Sequence, residues 1–373
     1  MKIAFLNIYG GRYSRGAEIA VHEVAKHLSK NHQVSVFQSG KSPNVSYTQY
    51  YVTGIPIIAT ETRYNFILRL LKKFYLDPYS LLVLFFSLKC LPKLLRNKYD
   101  VLISINGFWQ IIICKLVRLL ISSKVIVLGY AGIGIDDYIN LKLNPDAFFA
   151  MTYVAKSWAK KINPNIPIQV LPGGVNTQIF HSKVQPIKLS LKPPIILTVA
   201  ALSPYKRVDL VIRAVARLKN ASLVVAGNGI LKDEIESLGT NLLAERFRRL
   251  DIDYKYLPAL YTACQVFTLP SSHKDSSLFS RLTGVYPSEA FGIVYLEAMS
   301  SGLPVVAPDD PLRREIIGKA GILVNCEDIN AYSLSLTQAL QRKWENIPRD
   351  QAKKFDWEKI VFSFSNDLIQ ICG

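Results

Sequence analysis

The chain has 373 residues, half of them apolar and a fifth charged, which excludes a disordered protein and points to two domains of ordinary size. Its 45 basic and 28 acidic side chains give a net charge of +17, and the excess is uneven, with +13 in residues 1–180 and +4 in the remainder. Such a field suits nucleic acid, anionic lipid or a diphosphate substrate, and composition does not choose among them.

The opening KIAFLNI reads as a strand and not as a signal sequence, because its apolar run is short and no small-residue cleavage site follows. It leads into YGGRYSRGAE, where Gly10 and Gly11 allow close backbone approach and Arg12 and Arg15 add charge. A helix expected over 17–28 then offers its first amides to an anion. After the strand QVSVFQ comes a leucine-rich, aromatic and basic segment over 64–95. Its longest apolar run, LLVLFFSL, falls far short of a membrane span and is bracketed by Pro78 and Pro92, so no spanning helix is expected. Two readings stay open for it: an amphipathic surface lying on a membrane, or core helices with solvated lysines.

DVLISI and SKVIVLGY continue the strand–helix alternation of a doubly wound parallel sheet. The glycines of GYAGIG run G-x-x-G-x-G, which is not the dinucleotide-binding order G-x-G-x-x-G. A proline-bearing stretch over 184–194 precedes a second alternation: PIILTVAAL, a helix over 208–218, SLVVAG, QVFTLP and LPVVAP. The expected domains are therefore 1–180 and 186–356, each Rossmann-like, with a last helix over 357–373.

The most specific stretch is SEAFGIVYLEAMSSGLPVVAP. If a helix begins near Gly292, Glu297 sits in its second turn, while Glu289, eight residues earlier, lies in the loop before it. The amides of Phe291, Gly292 and Ile293 would then face an anion or sugar oxygen, flanked by two carboxylates that can grip hydroxyls.

These motifs resemble glycosyltransferase family 4, the retaining nucleotide-sugar transferases of GT-B fold. The likeness runs through LPGGVNTQIF, ILTVAALSPYKRVDLVIRA, LVVAGNG, LPALYTACQVFTLPS, SEAFGIVYLEAMSSGLPVVAP and AGILV, about half the chain. It is looser in RGAEIAVHEVAKHL and PDAFFAMT, and FDWEKIVFSFSNDLIQI resembles a terminal helix that crosses back to the first domain.

The resemblance implies two Rossmann-like domains facing across a cleft, an acceptor-binding first domain and a donor-binding second. It implies that Glu289 contacts the donor sugar, Glu297 the ribose and Lys206 the diphosphate. The amides of Phe291, Gly292 and Ile293 would lie beside the donor, and Gly10 and Gly11 near the diphosphate or acceptor. The expected reaction is metal-independent, retaining transfer of a hexose-type sugar from a nucleotide diphosphate sugar to a lipid-linked or glycan hydroxyl. Lys206 would stabilise the charge that grows on the leaving diphosphate.

Three departures stand out. Ala200-Ala201 replaces the usual Gly-Arg, so Arg207 or another arginine is expected to substitute. An insertion over 272–286 suits a lid carrying His273, Lys274 or Arg281, or an inert loop. The acceptor-domain histidine has no counterpart in LGYAGIGIDDY, where Asp136 and Asp137 are the nearest polar candidates, alongside Arg12 and Arg15, for acceptor contact.

Five scattered cysteines, Cys90, Cys114, Cys264, Cys326 and Cys372, form no C-x-x-C pair and fit a reducing compartment. The histidines form no ligand motif, His22 and His27 do not share a helix face, and Asp251-Ile252-Asp253 lacks the context of a metal-binding triplet. No metal or other cofactor is expected, and the setting is cytoplasmic with peripheral contact to an anionic membrane. Two alternatives remain: a non-transferring nucleotide-sugar epimerase or hydrolase, and a basic nucleic-acid- or membrane-binding protein. The second has no nucleic-acid-binding module to support it, so no nucleic-acid partner is expected.

Overall fold

The computed structural model describes residues 1–13, 16–43, 45–57, 71–72, 74–272 and 290–373. They divide into two compact units, one from Met1–Gly173 and Trp357–Gly373, the other from 174–272 and Phe291–Asp356. The division falls ahead of the boundary expected at 180–186. From Gly174 onward the chain is tied to the second unit: the Val175 amide donates to the Phe355 carbonyl at 2.9 Å, and the Phe180 ring meets Tyr254 and Tyr261 edge-on.

In the first unit, β1 (Lys2–Asn7), β2 (Gln33–Gln38), β3 (Thr48–Tyr51), β4 (Val101–Ser104), β5 (Lys124–Gly129), β6 (Ala147–Ala150) and β7 (Ile168–Val170) form one sheet. Its order is β3, β2, β1, β4, β5, β6, β7, and every pairing is parallel. Five of the six residues of β1 are buried, as a central strand covered on both faces requires. The covering helices are α1 (Gly16–Leu28), α2 (Pro78–Asn97), α3 (Phe108–Leu120), α4 (Ile135–Lys142) and α5 (Tyr153–Ile162). Right-handed crossovers put α1 on one face and α2 to α5 on the other, because the chain moves one way along the sheet from β1 to β2 and the opposite way from β3 onward. A last helix, α13 by its place in the chain (Trp357–Cys372), packs on α1, and its Phe364 ring meets Phe149 of β6 at 4.7 Å.

Helix α2 corrects one expectation. Asp77 caps it, accepting from the Ser80 amide, and Pro78 starts it, but Pro92 lies inside it and does not end it. At 20 residues α2 is long and apolar enough to cross a membrane by length and composition alone. Its inner face, Leu82, Val83, Phe86, Cys90 and Leu94, is nonetheless packed into the core of the first unit.

In the second unit, β8 (Ile195–Val199), β9 (Ser222–Ala226), β10 (Phe247–Leu250), β11 (Val266–Thr268), β12 (Val305–Pro308) and β13 (Gly321–Val324) form a parallel sheet in the order β10, β9, β8, β11, β12, β13. The helices are α6 (Val208–Ala216), α7 (Lys232–Leu243), α8 (Leu257–Thr262), α9 (Ile293–Ser300), α10 (Pro311–Ile317), α11 (Ile329–Gln341) and α12 (Ile347–Ala352). Helix α9 is buried on every side from Tyr295 to Ser300, as a helix wedged inside a domain must be. Each unit thus has the doubly wound architecture expected of it.

Candidate functional site

An open parallel sheet leaves a crevice at the carboxyl ends of its strands wherever neighbouring strands send their connections in opposite directions. In the second unit that switch point lies between β8, which connects toward β9, and β11, which leads on toward β12. The turn after β8 is the short helical Pro204–Lys206, so Lys206 stands at this edge. Two hydrogen bonds stitch the neighbouring loops together there. The Ser272 amide donates to the Tyr205 carbonyl at 2.9 Å, and the Tyr295 hydroxyl of α9 donates to the Leu269 carbonyl, just past β11, at 2.7 Å. The Lys206 turn, the end of β11 and the first turn of α9 therefore form one edge.

Gly292 caps α9 at φ +89°, a left-handed conformation that suits only glycine, and it lets the chain turn sharply into the helix. The first amides of α9 are aligned here with its dipole. Phe291 is buried and packs edge-on against Phe355, which holds the turn from below. Glu297 sits in the second turn, as expected, and is only 2% exposed. Its carboxylate accepts from the Tyr261 hydroxyl at 3.0 Å, and the Tyr254 hydroxyl bonds to it as well. Burial pushes the Glu297 carboxyl up to about 7, against the opposing pull of those two hydroxyls. Glu289 lies outside the described residues, as does the proposed lid with His273, Lys274 and Arg281.

The Lys206 ammonium stands over the Tyr205 ring at 5.0 Å. Arg207 takes the left-handed conformation at φ +49° and caps α6. Its guanidinium is engaged by Glu327 at 2.6 Å and faces Asp209 at 3.5 Å, so its charge anchors the turn where the sequence suggested a stand-in for the missing arginine. Ala200 is packed against Gly227, where a side-chain carbon would come within 1.8 Å of the Ala200 carbonyl oxygen, whereas Ala201 is exposed.

In the first unit the switch point lies between β1 and β4, and the Gly10-Gly11 loop follows β1. Gly11 has φ +72°, and a side chain there would meet the Gly40 backbone at 2.6 Å, so this glycine serves loop-to-loop packing. Arg12 donates to the carbonyls of Ile55 at 2.6 Å and Ser39 at 3.1 Å, a bracing role in place of a visibly free one. Arg15 lies outside the described residues. Asp137 is buried and is bonded by the backbone amides of Ala131 and Gly132, closing the GYAGIG turn, and burial holds its carboxyl well above the usual range. Asp136 is half-buried beside Tyr75, and burial raises its pKa too. Of the two, Asp136 is the one that reaches the surface.

Residues 181–355 match the glycosyl transferases group 1. This matched segment contains Lys206, Arg207, Phe291, Gly292, Ile293 and Glu297. A stretch covering 50% of the chain is 29% identical to the sulfoquinovosyl transferase SQD2 of Arabidopsis thaliana, and one covering 52% is 27% identical to a GDP-mannose-dependent alpha-(1-6)-phosphatidylinositol monomannoside mannosyltransferase of Mycolicibacterium smegmatis. The chain spans 36% and 52% of those two relatives. Across 99% of its length it superposes on 98% of a sucrose-phosphate synthase from Thermosynechococcus elongatus, with a TM-score of 0.76 at 18% identity. The fold is GT-B.

Within the matched segment, three contacting residues were not visible in the sequence. Tyr261 ends LPALY and Tyr254 lies just ahead of it; both close over Glu297, and their seven-residue spacing, two helical turns, is the only local signal. Arg313, 3% exposed, reaches from α10 to the Ser271 carbonyl at 2.8 Å while bonding Asp310 at 2.6 Å, and so props the end of β11. Asp251 accepts from the Asn228 amide at 2.7 Å and Asp253 sits 4.0 Å from Lys255. Among the described residues no group of three or more His, Cys, Asp or Glu side chains could hold a metal ion. His22 contacts Tyr47 and His27 faces Glu23, so the two point to different partners.

Proposed function

We propose that the protein is a glycosyltransferase that moves a hexose-type sugar from a nucleotide diphosphate sugar to a hydroxyl of a lipid-linked or glycan acceptor, with retention of configuration and without a metal. The observation that carries this reading is the edge at the β8–β11 switch point, where Lys206 and the amino end of α9 are stitched together inside the group 1 segment. Transfer breaks the bond between the anomeric carbon and the diphosphate oxygen, and the nucleoside diphosphate leaves as an anion. Lys206 offsets that growing charge, and the amides of Phe291, Gly292 and Ile293 bond its oxygens. Glu289 takes a sugar hydroxyl, Glu297, closed over by Tyr261 and Tyr254, holds the α9 turn from within in place of the ribose contact that the resemblance implied, and Arg207 holds the Lys206 turn through Glu327. In the first unit, Gly10 and Gly11 shape the loop at the sheet edge, and Asp136 is the carboxylate offered to an acceptor hydroxyl. The M. smegmatis relative, by its name, takes GDP-mannose and a phosphatidylinositol mannoside, which supports a nucleotide-sugar donor and a lipid acceptor. Five cysteines, all free, support a cytoplasmic location.

The test is calorimetry and thermal melting with UDP, GDP, ADP, dTDP and CMP, on the wild type and on Lys206→Ala. One diphosphate is expected to raise the melting temperature by mass action. The variant should bind it roughly 10- to 100-fold more weakly, the loss of one charge-assisted contact. Absence of binding by every diphosphate at millimolar concentration, or an unaffected variant, overturns the reading. The anomeric configuration of the product, read by NMR, tests retention.

A further inference from the structure

We propose that the outward face of α2 and α3 docks on an anionic lipid surface. The two helices are neighbours on one face of the first unit's sheet and run parallel, each returning from the carboxyl edge to the amino edge. Their starts are pinned together, since the Trp109 indole donates to the Tyr75 carbonyl at 2.7 Å. Their inner faces fill the core, and their outer faces carry what a soluble helix pair normally hides. On α2, Leu81, Phe85 and Leu88 recur at a helical spacing of four and three and are exposed. On α3, Leu116 is exposed, and Leu119 and Leu120 are 81% and 70% exposed. Leu88 lies about 15 Å along its helix and Leu116 to Leu120 about 12 to 18 Å along theirs, so these side chains come to similar heights.

Charge selects the occupant. Helices α2 and α3 contain Lys89, Lys93, Arg96, Lys115 and Arg118 and no Asp or Glu. Arg118 is paired with Asp146 at 2.8 Å, but none of Lys89, Lys93 or Arg96 has a carboxylate within 4.0 Å among the described residues. Lys89 donates to the Thr53 carbonyl and lies over the Phe85 ring at 4.5 Å, which keeps a cation beside the apolar stripe. An apolar stripe on two helices whose own charges are all positive matches the interface of an anionic bilayer, where leucine and phenylalanine enter the acyl boundary and lysine meets the headgroups. A second copy of this chain would bring the same positive charge against itself. The inference rests on the first unit alone and stands without the transferase reading, although it suits a lipid-linked acceptor.

The experiment is co-sedimentation of the full chain with phosphatidylcholine vesicles, plain or with about a third phosphatidylglycerol. Three proteins are compared: wild type, a Leu119→Ser/Leu120→Ser double variant and a Lys93→Glu/Arg96→Glu double variant. All four positions are exposed, and near-ultraviolet circular dichroism confirms that each variant folds. The wild type should partition on the order of tenfold or more into the anionic vesicles over the neutral ones, and each double variant should lose about tenfold of that binding. Equal partition into both vesicle types overturns the proposal, as does wild-type binding by both variants. So does a wild-type dimer in analytical ultracentrifugation that the leucine variant disperses, since the face would then belong to a second copy. Nucleotide binding, measured without lipid, is unaffected by either variant, so failure here is separable from failure of the transferase reading.

Discussion

Glu297 shows how little a residue's identity says about its state until its surroundings are known. The sequence placed Glu297 as one of two carboxylates able to grip hydroxyls, yet it is enclosed by Tyr261 and Tyr254, and burial pushes its carboxyl up to about 7. A buried acid whose native pKa is raised binds its proton more tightly in the folded than in the unfolded chain. Its contribution to stability is then full below about 4.5 and is lost as pH rises through about 7. We expect wild-type stability, relative to Glu297→Gln, to fall by on the order of 3 kcal/mol between those limits. Urea unfolding of both proteins across that pH range measures it, and a constant difference would refute the buried, protonated state. Gly292 was legible as a single residue because a glycine before an apolar helix carries its turn chemistry with it, whereas Lys206, a cation in a turn, was marked only by the resemblance. The two tyrosines were not legible, because their role exists only where they meet Glu297.

At the level of elements, the helix start at α9 is the feature most dependent on one residue. Gly292→Ala places a side-chain carbon on a backbone at φ +89°, so we expect a loss of about 1 to 2 kcal/mol together with weaker nucleotide binding, because the first amides of α9 would turn away. A thermal melt with and without nucleotide separates the two effects, and a variant with normal stability and binding would show that the turn is not required. Buried central strands such as β1, β5, β8 and β12 were readable as apolar runs. The edge strands β3 and β10 were not, since their residues are largely half-buried or exposed and carry no such run. Pro92 misled for a related reason: proline is a strong local stop signal, but the packing of Leu82 to Leu94 against the sheet carries α2 past it.

At the scale of the whole molecule, the last helix completes a unit begun more than three hundred residues earlier. Trp357, Ile360, Val361, Phe364 and Leu368 are buried, His32 bonds Ser365 at 2.9 Å, and Lys30 pairs with Glu358 at 3.1 Å. Burying five large side chains contributes on the order of 10 kcal/mol before entropic costs, comparable to the full stability of a domain. A chain ending at Asp356 is therefore expected to lose the cooperative unfolding of the first unit while the second still responds to nucleotide. Hydrogen exchange resolved by unit reads this, and protection of β1 and α1 unchanged by the truncation would refute it. The alternation of strand and helix, the count of two domains and the glycine–glutamate signature before LPVVAP are properties of short segments, so the sequence by itself determined them through periodicity and turn chemistry. Tertiary structure alone decided what long-range contacts control: strand order, the stitching of the Lys206 turn to α9, the pairing of Arg207 with Glu327, and which leucines of α2 and α3 face outward. Those outcomes depend on which surfaces meet across hundreds of residues of chain, and no local pattern encodes that meeting.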